Sequence, residues 1–221
     1  MSRPVIAIDG PAASGKGTLA RKVAEAMGYA LLDTGALYRG VALTMIRAGA
    51  DLGDADAATA TARALTAADI DRLTHDPALR LDDTASGASR VSAVPGVRQA
   101  LLEFQRDFAA NPPDERPGAV LDGRDIGTVI CPDAPVKLFV TASVEVRAQR
   151  RFAELQGRGE KPDFADVLAD MRARDDRDTK RAVAPLVPAA DAVIIDNSDM
   201  SPQQVLDAAL AVVRERLANS R

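Results

Sequence analysis

The chain has 221 residues, 47% of them hydrophobic and 27% charged, an ordinary globular composition with enough length for one substantial core. Its formal net charge of −4 argues against a nucleic-acid partner held by bulk electrostatics. One cysteine, Cys131, excludes an internal disulfide and fits a reducing compartment. No run approaches the ~18 apolar residues of a membrane span, and the start of the chain lacks the apolar core of a signal peptide. The expectation is a cytoplasmic protein with no membrane partner.

The first element is a short apolar strand over residues 5–8. It runs into Gly10-Pro11-Ala12-Ala13-Ser14-Gly15-Lys16-Gly17-Thr18, and a helical pattern over about 17–27 follows. Strand, glycine loop and helix are the context of a phosphate-binding loop. Glycines let successive backbone N–H groups surround phosphate oxygens, and the helix adds free N–H groups and its positive dipole end. Lys16 can reach the β- and γ-phosphates, and the Thr18 hydroxyl is suited to Mg²⁺. The strict pattern puts Ser or Thr directly after the lysine; here Gly17 intervenes.

A second strand is predicted over 29–32, with Thr34 as the cap of a helix carrying Leu37, Val41 and Met45 on one stripe. This places Thr34, Tyr38 and Arg39 at the carboxyl ends of the strands, where α/β proteins bind ligands. From about 49 to 94 the chain is rich in Ala, Asp and Thr, without a clear strand, and reads as an inserted subdomain. Its one histidine, His75, is expected to be solvated. After Pro95-Gly96 comes a helix with Val97, Leu101, Phe104 and Phe108 at helical spacing.

The third strand, 119–121, ends in Asp122-Gly123-Arg124-Asp125. A carboxylate at such a strand end suits Mg²⁺, directly or through water. Arg124 adds a cation at the same rim. Cys131, between Ile130 and Pro132, reads as a small buried hydrophobe rather than a nucleophile. A fourth strand spans 136–140, and Arg147, Arg150 and Arg151 lie on the helix after it. The polar tip over 156–162 reads equally well as a mobile lid or a plain surface loop.

A helix over about 164–183 carries Arg174, Asp178 and Arg181 at i, i+4 and i+7 on one face, with an Asp176–Lys180 pair elsewhere. The fifth strand is 192–195, and a last helix opens with a Ser201–Gln204 capping box and Pro202 at its first position. Continuous apolar strands alternating with helices predict an α/β fold: a five-stranded parallel sheet with helices on both faces. Many arginines in an acidic chain call for anionic ligands. An acceptor that is itself a phosphate needs no general base, and no catalytic His or Cys stands out.

Taken together, several motifs resemble bacterial cytidylate kinases over nearly the whole chain. They are Ile8-Asp9-Gly10-Pro11, Ser14-Gly15-Lys16-Gly17-Thr18, Leu32-Asp33-Thr34-Gly35-Ala36-Leu37-Tyr38-Arg39, Asp122-Gly123-Arg124-Asp125-Ile126-Gly127-Thr128-Val129, Pro132-Asp133-Ala134-Pro135-Val136-Lys137, and Arg174-Asp175-Asp176-Arg177-Asp178 with Arg181-Ala182-Val183-Ala184-Pro185-Leu186. The family's Gly-Lys-Gly-Thr form accounts for the displaced Thr18. The resemblance implies a P-loop nucleoside monophosphate kinase fold, with a core over about 1–38, 105–150 and 170–221. It implies an acceptor-binding insertion over about 39–104 and a short lid over about 151–169. The insertion departs from the family's strand-rich form, being shortened and helix-leaning.

The activity implied is transfer of the ATP γ-phosphate to CMP or dCMP with Mg²⁺, by a chain expected to be monomeric. Residues 10–18 would hold ATP, with Thr18 and Asp122 at the metal. Thr34, Arg39, Arg124 and Arg181 would hold the acceptor phosphate beside Tyr38. Ser89, Arg98 and Asp125 would read cytosine, and Arg174 with Asp178 would hold the ribose. Lys16, Arg124, Arg181, Arg147 and Arg150 would act on the transferring phosphate, with Arg151 on the lid side. The competing readings are another small P-loop kinase, a GTPase-like switch and a non-catalytic nucleotide-binding module. An Asn-Lys-x-Asp guanine motif is absent; Asn197-Ser198-Asp199 follows a strand but lacks the lysine.

Overall fold

A computed structural model describes residues 3–219; positions 1–2 and 220–221 of the expected core lie outside them. Five parallel strands form one sheet in the order β2-β3-β1-β4-β5. They are β1 (Val5–Asp9), β2 (Ala30–Asp33), β3 (Ala119–Gly123), β4 (Val136–Thr141) and β5 (Val193–Asp196). All five expected strands form, most extended or shifted by one or two residues at their ends. β1 pairs with β3 in the register Ile6↔Val120 and with β4 in the register Ile6↔Val136.

Side-chain alternation along β1 explains why the strands read as continuous apolar runs. Ile6 and Ile8 point into one core with Leu19, Val23, Ala209 and Val213. These come from α1 (Lys16–Met27) and α9 (Pro202–Asn219). Ala7 points the other way, into a core with Leu121, Ala109 and Ile126. Ala109 lies on α6 (Pro95–Ala110). Helices thus cover both faces, and every position along β3 and all of β1 but its first residue is buried. The predicted capping box of α9 is present: Ser201 N–H donates to Gln204 Oε1 at 2.9 Å, and Gln204 N–H donates to Ser201 Oγ at 3.3 Å.

The insertion is helical. After α2 (Thr34–Arg47) come α3 (Ala55–Ala64), α4 (Ala67–Thr74), a 3₁₀ turn over Pro77–Arg80, and α5 (Asp82–Val91). No strand lies between β2 and β3 among the described residues. These helices build their own core of Val41, Met45, Ala58, Ala62, Val91 and Val97 against α2 and α6. His75 is exposed, its Nδ1 2.8 Å from the Asp71 carbonyl. The tip expected at 156–162 is the turn between α7 (Val144–Gly157) and α8 (Phe164–Lys180).

Two sequence expectations are corrected. Thr34 does not cap α2. Asp33 does, its Oδ1 accepting the Ala36 N–H at 3.2 Å. Thr34 is instead the first helical residue, and its hydroxyl donates to the Asp122 carbonyl at 2.8 Å. The i, i+4, i+7 face also fails at its last member. α8 stops at Lys180, and Arg181 is extended (φ −62°, ψ 141°). Leaving the helix lets its guanidinium reach both the Ala184 carbonyl and Asp125.

Candidate active site

Strand order places the site. The chain leaves β1 for β2 on one side and later crosses from β3 past β1 to β4 on the other, so the order reverses beside β1 and a crevice opens at its carboxyl end. The glycine loop fills that position. Gly10 has φ +150°, and a Cβ there would sit 2.0 Å from the Val140 carbonyl oxygen, so only glycine lets the loop lie against β4. Gly15 caps α1 in the left-handed conformation without a side-chain bond, which leaves the first N–H groups of the helix for a ligand. Asp9, the last residue of β1, is buried. Its carboxylate accepts the Ile126 and Gly127 N–H groups, each at 2.8 Å. Burial, against those two hydrogen bonds, pushes its pKa up to about 7.

Beside the loop lies a cleft of about 260 Å³. It is lined by every residue expected to bind the acceptor: Thr34, Tyr38, Arg39, Ser89, Arg98, Arg124, Asp125, Arg174, Asp178 and Arg181. Lys16, Gly17 and Asp122 form its boundary with the loop. A larger hollow of about 570 Å³, at His75, Arg80 and Arg158, holds no loop residue and none of these groups.

The charges are arranged in two layers. At the loop, Lys16 Nζ lies 3.7 Å from Asp122 Oδ1. Burial, reinforced by the nearby Arg124 charge, lowers the lysine to about 8. Burial also raises Asp122, with Lys16 opposing that rise. A Cβ on Gly17 would come within 3.1 Å of Asp122 Oδ2, so the missing side chain lets the carboxylate sit against the start of α1. Thr18 is exposed in that first turn.

Deeper in, Arg98 is ion-paired with Asp125, both side chains 7% exposed. Arg98 also donates to the Ser92 carbonyl at 3.3 Å and lies 5.6 Å over the Tyr38 ring. Arg181 Nη2 approaches Asp125 Oδ1 from the other side at 3.5 Å. Asp178 accepts from Arg124 Nε at 3.1 Å and from Ser89 Oγ at 3.3 Å. Burial would raise Asp178, but Arg124, Arg174 and Arg181 hold it below its ordinary value. Burial, with Arg124 beside it, pushes Arg174 down to about 10.

Six cations therefore face four carboxylates, in a chain of net charge −4. Arg39 Nε, Arg174 Nε, Arg181 Nη2 and Asp122 Oδ1 are buried without hydrogen-bond partners. Buried donors in that state call for acceptors, and the fork geometry of guanidinium suits phosphate oxygens.

The other arginines are placed differently. Arg147 is buried under the loop, donating to the Ala142 carbonyl (2.9 Å), the Ala12 carbonyl (3.2 Å) and both oxygens of Asp175 (3.0 and 2.6 Å). Arg150 is held by Asn197, and Arg151 by Asp82 and Glu154. None of the three lines the cleft. Sequence reasoning missed Asp33, Asp9, Asp175 and Asn197. Asp33 was legible as a cap, being as good an N-cap type as threonine. Nothing local marks the others, whose partners lie far away in sequence. Cys131 is half-buried among apolar neighbours, and burial pushes its thiol up to about 11, which favours the neutral thiol at neutral pH.

A family model described as cytidylate kinase matches residues 6–215. This chain belongs to the cytidylate kinase family. A cytidylate kinase from Paramagnetospirillum magneticum is 56% identical over 209 residues, covering 95% of this chain and 97% of that protein. One from Rhodospirillum rubrum is 58% identical over 213 residues, covering 96% and 98%. A solved structure from Thermus thermophilus aligns over 98% of this chain and 99% of its own, with TM-score 0.52 and 22% identity, a likeness of fold alone. The cytidylate kinase fold thus carries the loop and the cleft described above. No helix among the described residues is long and apolar enough to cross a membrane.

Proposed function

We propose that this chain transfers the γ-phosphate of ATP to CMP or dCMP. The bond from the γ-phosphorus to its bridging oxygen breaks, and a CMP phosphate oxygen bonds to the phosphorus, giving CDP and ADP. The observation that carries this reading is one cleft, directly beside the glycine loop, lined by all ten expected acceptor residues. Membership of the family supports the acceptor's identity. A monomer is the expected form, and the single cysteine is in keeping with a reducing compartment such as the cytoplasm.

The acceptor phosphate is already anionic, so the chain's work is positioning and charge neutralisation rather than proton abstraction. Residues 10–18 cradle the ATP phosphates with backbone N–H groups, and Lys16 neutralises the bridging side. Thr34, Arg39, Arg124 and Arg181 hold the acceptor phosphate. The Arg98–Asp125 pair and Ser89 form a polar wall suited to the cytosine edge, while Tyr38 supports Arg98. Arg174 and Asp178 face the ribose. Mg²⁺ fits at Asp122, whose Oδ1 has no hydrogen-bond partner, with Thr18 as the other candidate ligand. When bound it would neutralise charge on the phosphates. Arg147 acts through the loop by fixing the Ala12 carbonyl, and Arg150 flanks the loop from α7.

The test is an acceptor panel with matched Mg-ATP: CMP, dCMP, UMP and AMP. CDP or dCDP should form far faster than UDP or ADP from their monophosphates. Equal rates across the panel, or no CDP above background, would refute the reading.

A further inference from the structure

We propose that Asn197 is a positioning residue for the ATP-binding loop. It lies in the turn after β5 and is 3% exposed. Its Nδ2 donates to the Ser14 carbonyl at 2.8 Å, and its Oδ1 accepts from Arg150 Nη1 at 2.9 Å. Arg150 Nη2 also donates to the Asn197 carbonyl at 3.0 Å. The Asn197 N–H donates to the Thr141 carbonyl at 2.8 Å, anchoring the residue to the end of β4. The amide orientation is fixed by chemistry. A carbonyl can only accept and a guanidinium can only donate, so the nitrogen must face Ser14 and the oxygen Arg150.

The consequence follows from peptide geometry. The 14–15 peptide is trans, so its C=O and N–H point in opposite directions. Pulling the Ser14 carbonyl outward onto Asn197 aims the Gly15 N–H into the loop, where a phosphate would sit. Gly15 holds the left-handed conformation this requires, at φ +83°, and a Cβ there would lie 3.8 Å from Asn197 Nδ2. The loop and Arg150 are therefore aligned by one side chain. The backbone is pre-set for the anion before binding, and little reorganisation remains to be done. Of the three residues 197–199, which resemble a guanine-reading motif without its lysine, Asn197 acts on the phosphates.

The inference rests on the reading of residues 10–18 as the ATP cradle. Its test is ATP and CMP binding measured separately by calorimetry, with turnover as a second readout. Asn197→Asp keeps the shape and the Arg150 contact but sets a carboxylate oxygen against the Ser14 carbonyl. Asn197→Leu removes the donor without adding charge. Both variants should bind ATP about tenfold more weakly, the loss expected when a buried carbonyl loses its donor, with CMP affinity unchanged. KM for ATP should rise and KM for CMP should not. Unchanged ATP affinity in Asn197→Asp would overturn the proposal. So would a loss confined to the charged variant, or parallel losses for both nucleotides with a fallen melting temperature. Should the wild type bind ATP yet not phosphorylate CMP, the proposed acceptor fails while the ATP measurement still decides the role of Asn197.

Discussion

Arg98 and Asp125, on α6 and just after β3, form a buried ion pair at the back of the cleft. Neither charge has bulk water to fall back on, so removal of one strands the other. Arg98→Met would leave Asp125 with Arg181 alone at 3.5 Å. The expected cost is about 3–5 kcal/mol of stability, read from the urea midpoint. If the pair reads cytosine, the ratio of kcat/KM for CMP over UMP should also fall by about tenfold or more. Unchanged selectivity in a folded variant would remove Arg98 from base recognition.

Lys16 is lowered to about 8 by burial and by Arg124, and phosphate binding requires its charged form. Below pH 8 the free protein already carries that charge. Above pH 8 it must take up a proton to bind, so ATP affinity should fall by up to about tenfold per pH unit. Calorimetry at about pH 9 in buffers of different ionisation enthalpy should report proton uptake with ATP. In Lys16→Ala that uptake should vanish together with turnover. Buffer-independent heats in the wild type would contradict the assignment.

Arg147 was expected to face the transferring phosphate, yet its guanidinium is occupied by Ala12, Ala142 and Asp175. Arg147, itself 4% exposed, is the donor to two carbonyls and to the half-buried Asp175, so Arg147→Ala would leave those carbonyls without it. A loss of about 3 kcal/mol is expected on denaturant unfolding. Asp175→Ala should reproduce much of it, and the double variant should cost less than the sum. Additive losses would show that the two side chains act separately.

The sheet, its two covered faces and the loop were legible because each is written locally. β1 shows as an apolar run, and the glycines and Lys16 follow at fixed spacing. Thr34, Tyr38, Arg39 and Arg124 were legible as polar groups at strand ends, but Ser89 and Arg98, and the role of each acceptor residue, were legible only through family resemblance. Composition shows no reason for Ser89 to meet Asp178, 89 positions away. Arg181 shows where helical spacing misleads: periodicity extrapolates a face, whereas the Asp125 carboxylate and the Ala184 carbonyl draw the residue out of the helix. Asp9 shows in the sequence as part of a motif and Asn197 only as a residue after a strand, but the work of both depends on backbone groups brought near by the sheet order. The all-helical insertion followed from its lack of alternating apolar residues, although its individual helices did not.

Asp9 offers a test of how β1 holds the far wall of the cleft. Its carboxylate accepts the Ile126 and Gly127 N–H groups and so fixes the turn directly after Arg124 and Asp125. Burial, with smaller contributions from Asp125 and Asp122, raises its pKa from 3.8 to about 7. The folded state therefore holds this proton more tightly than the unfolded chain. The associated stability is complete below about pH 3.8 and is lost as the pH rises through about 7. Other carboxylates, such as Asp178, carry the opposite slope, so the Asp9 contribution must be isolated by difference. Asp9→Asn cannot ionise and sets an amide N–H against one of the two backbone donors, a cost that does not vary with pH. The unfolding free energy of the wild type minus that of Asp9→Asn should accordingly decrease from pH 4 to pH 7. A difference that stays flat over this range would mean that Asp9 is ionised throughout, held charged by its two N–H donors.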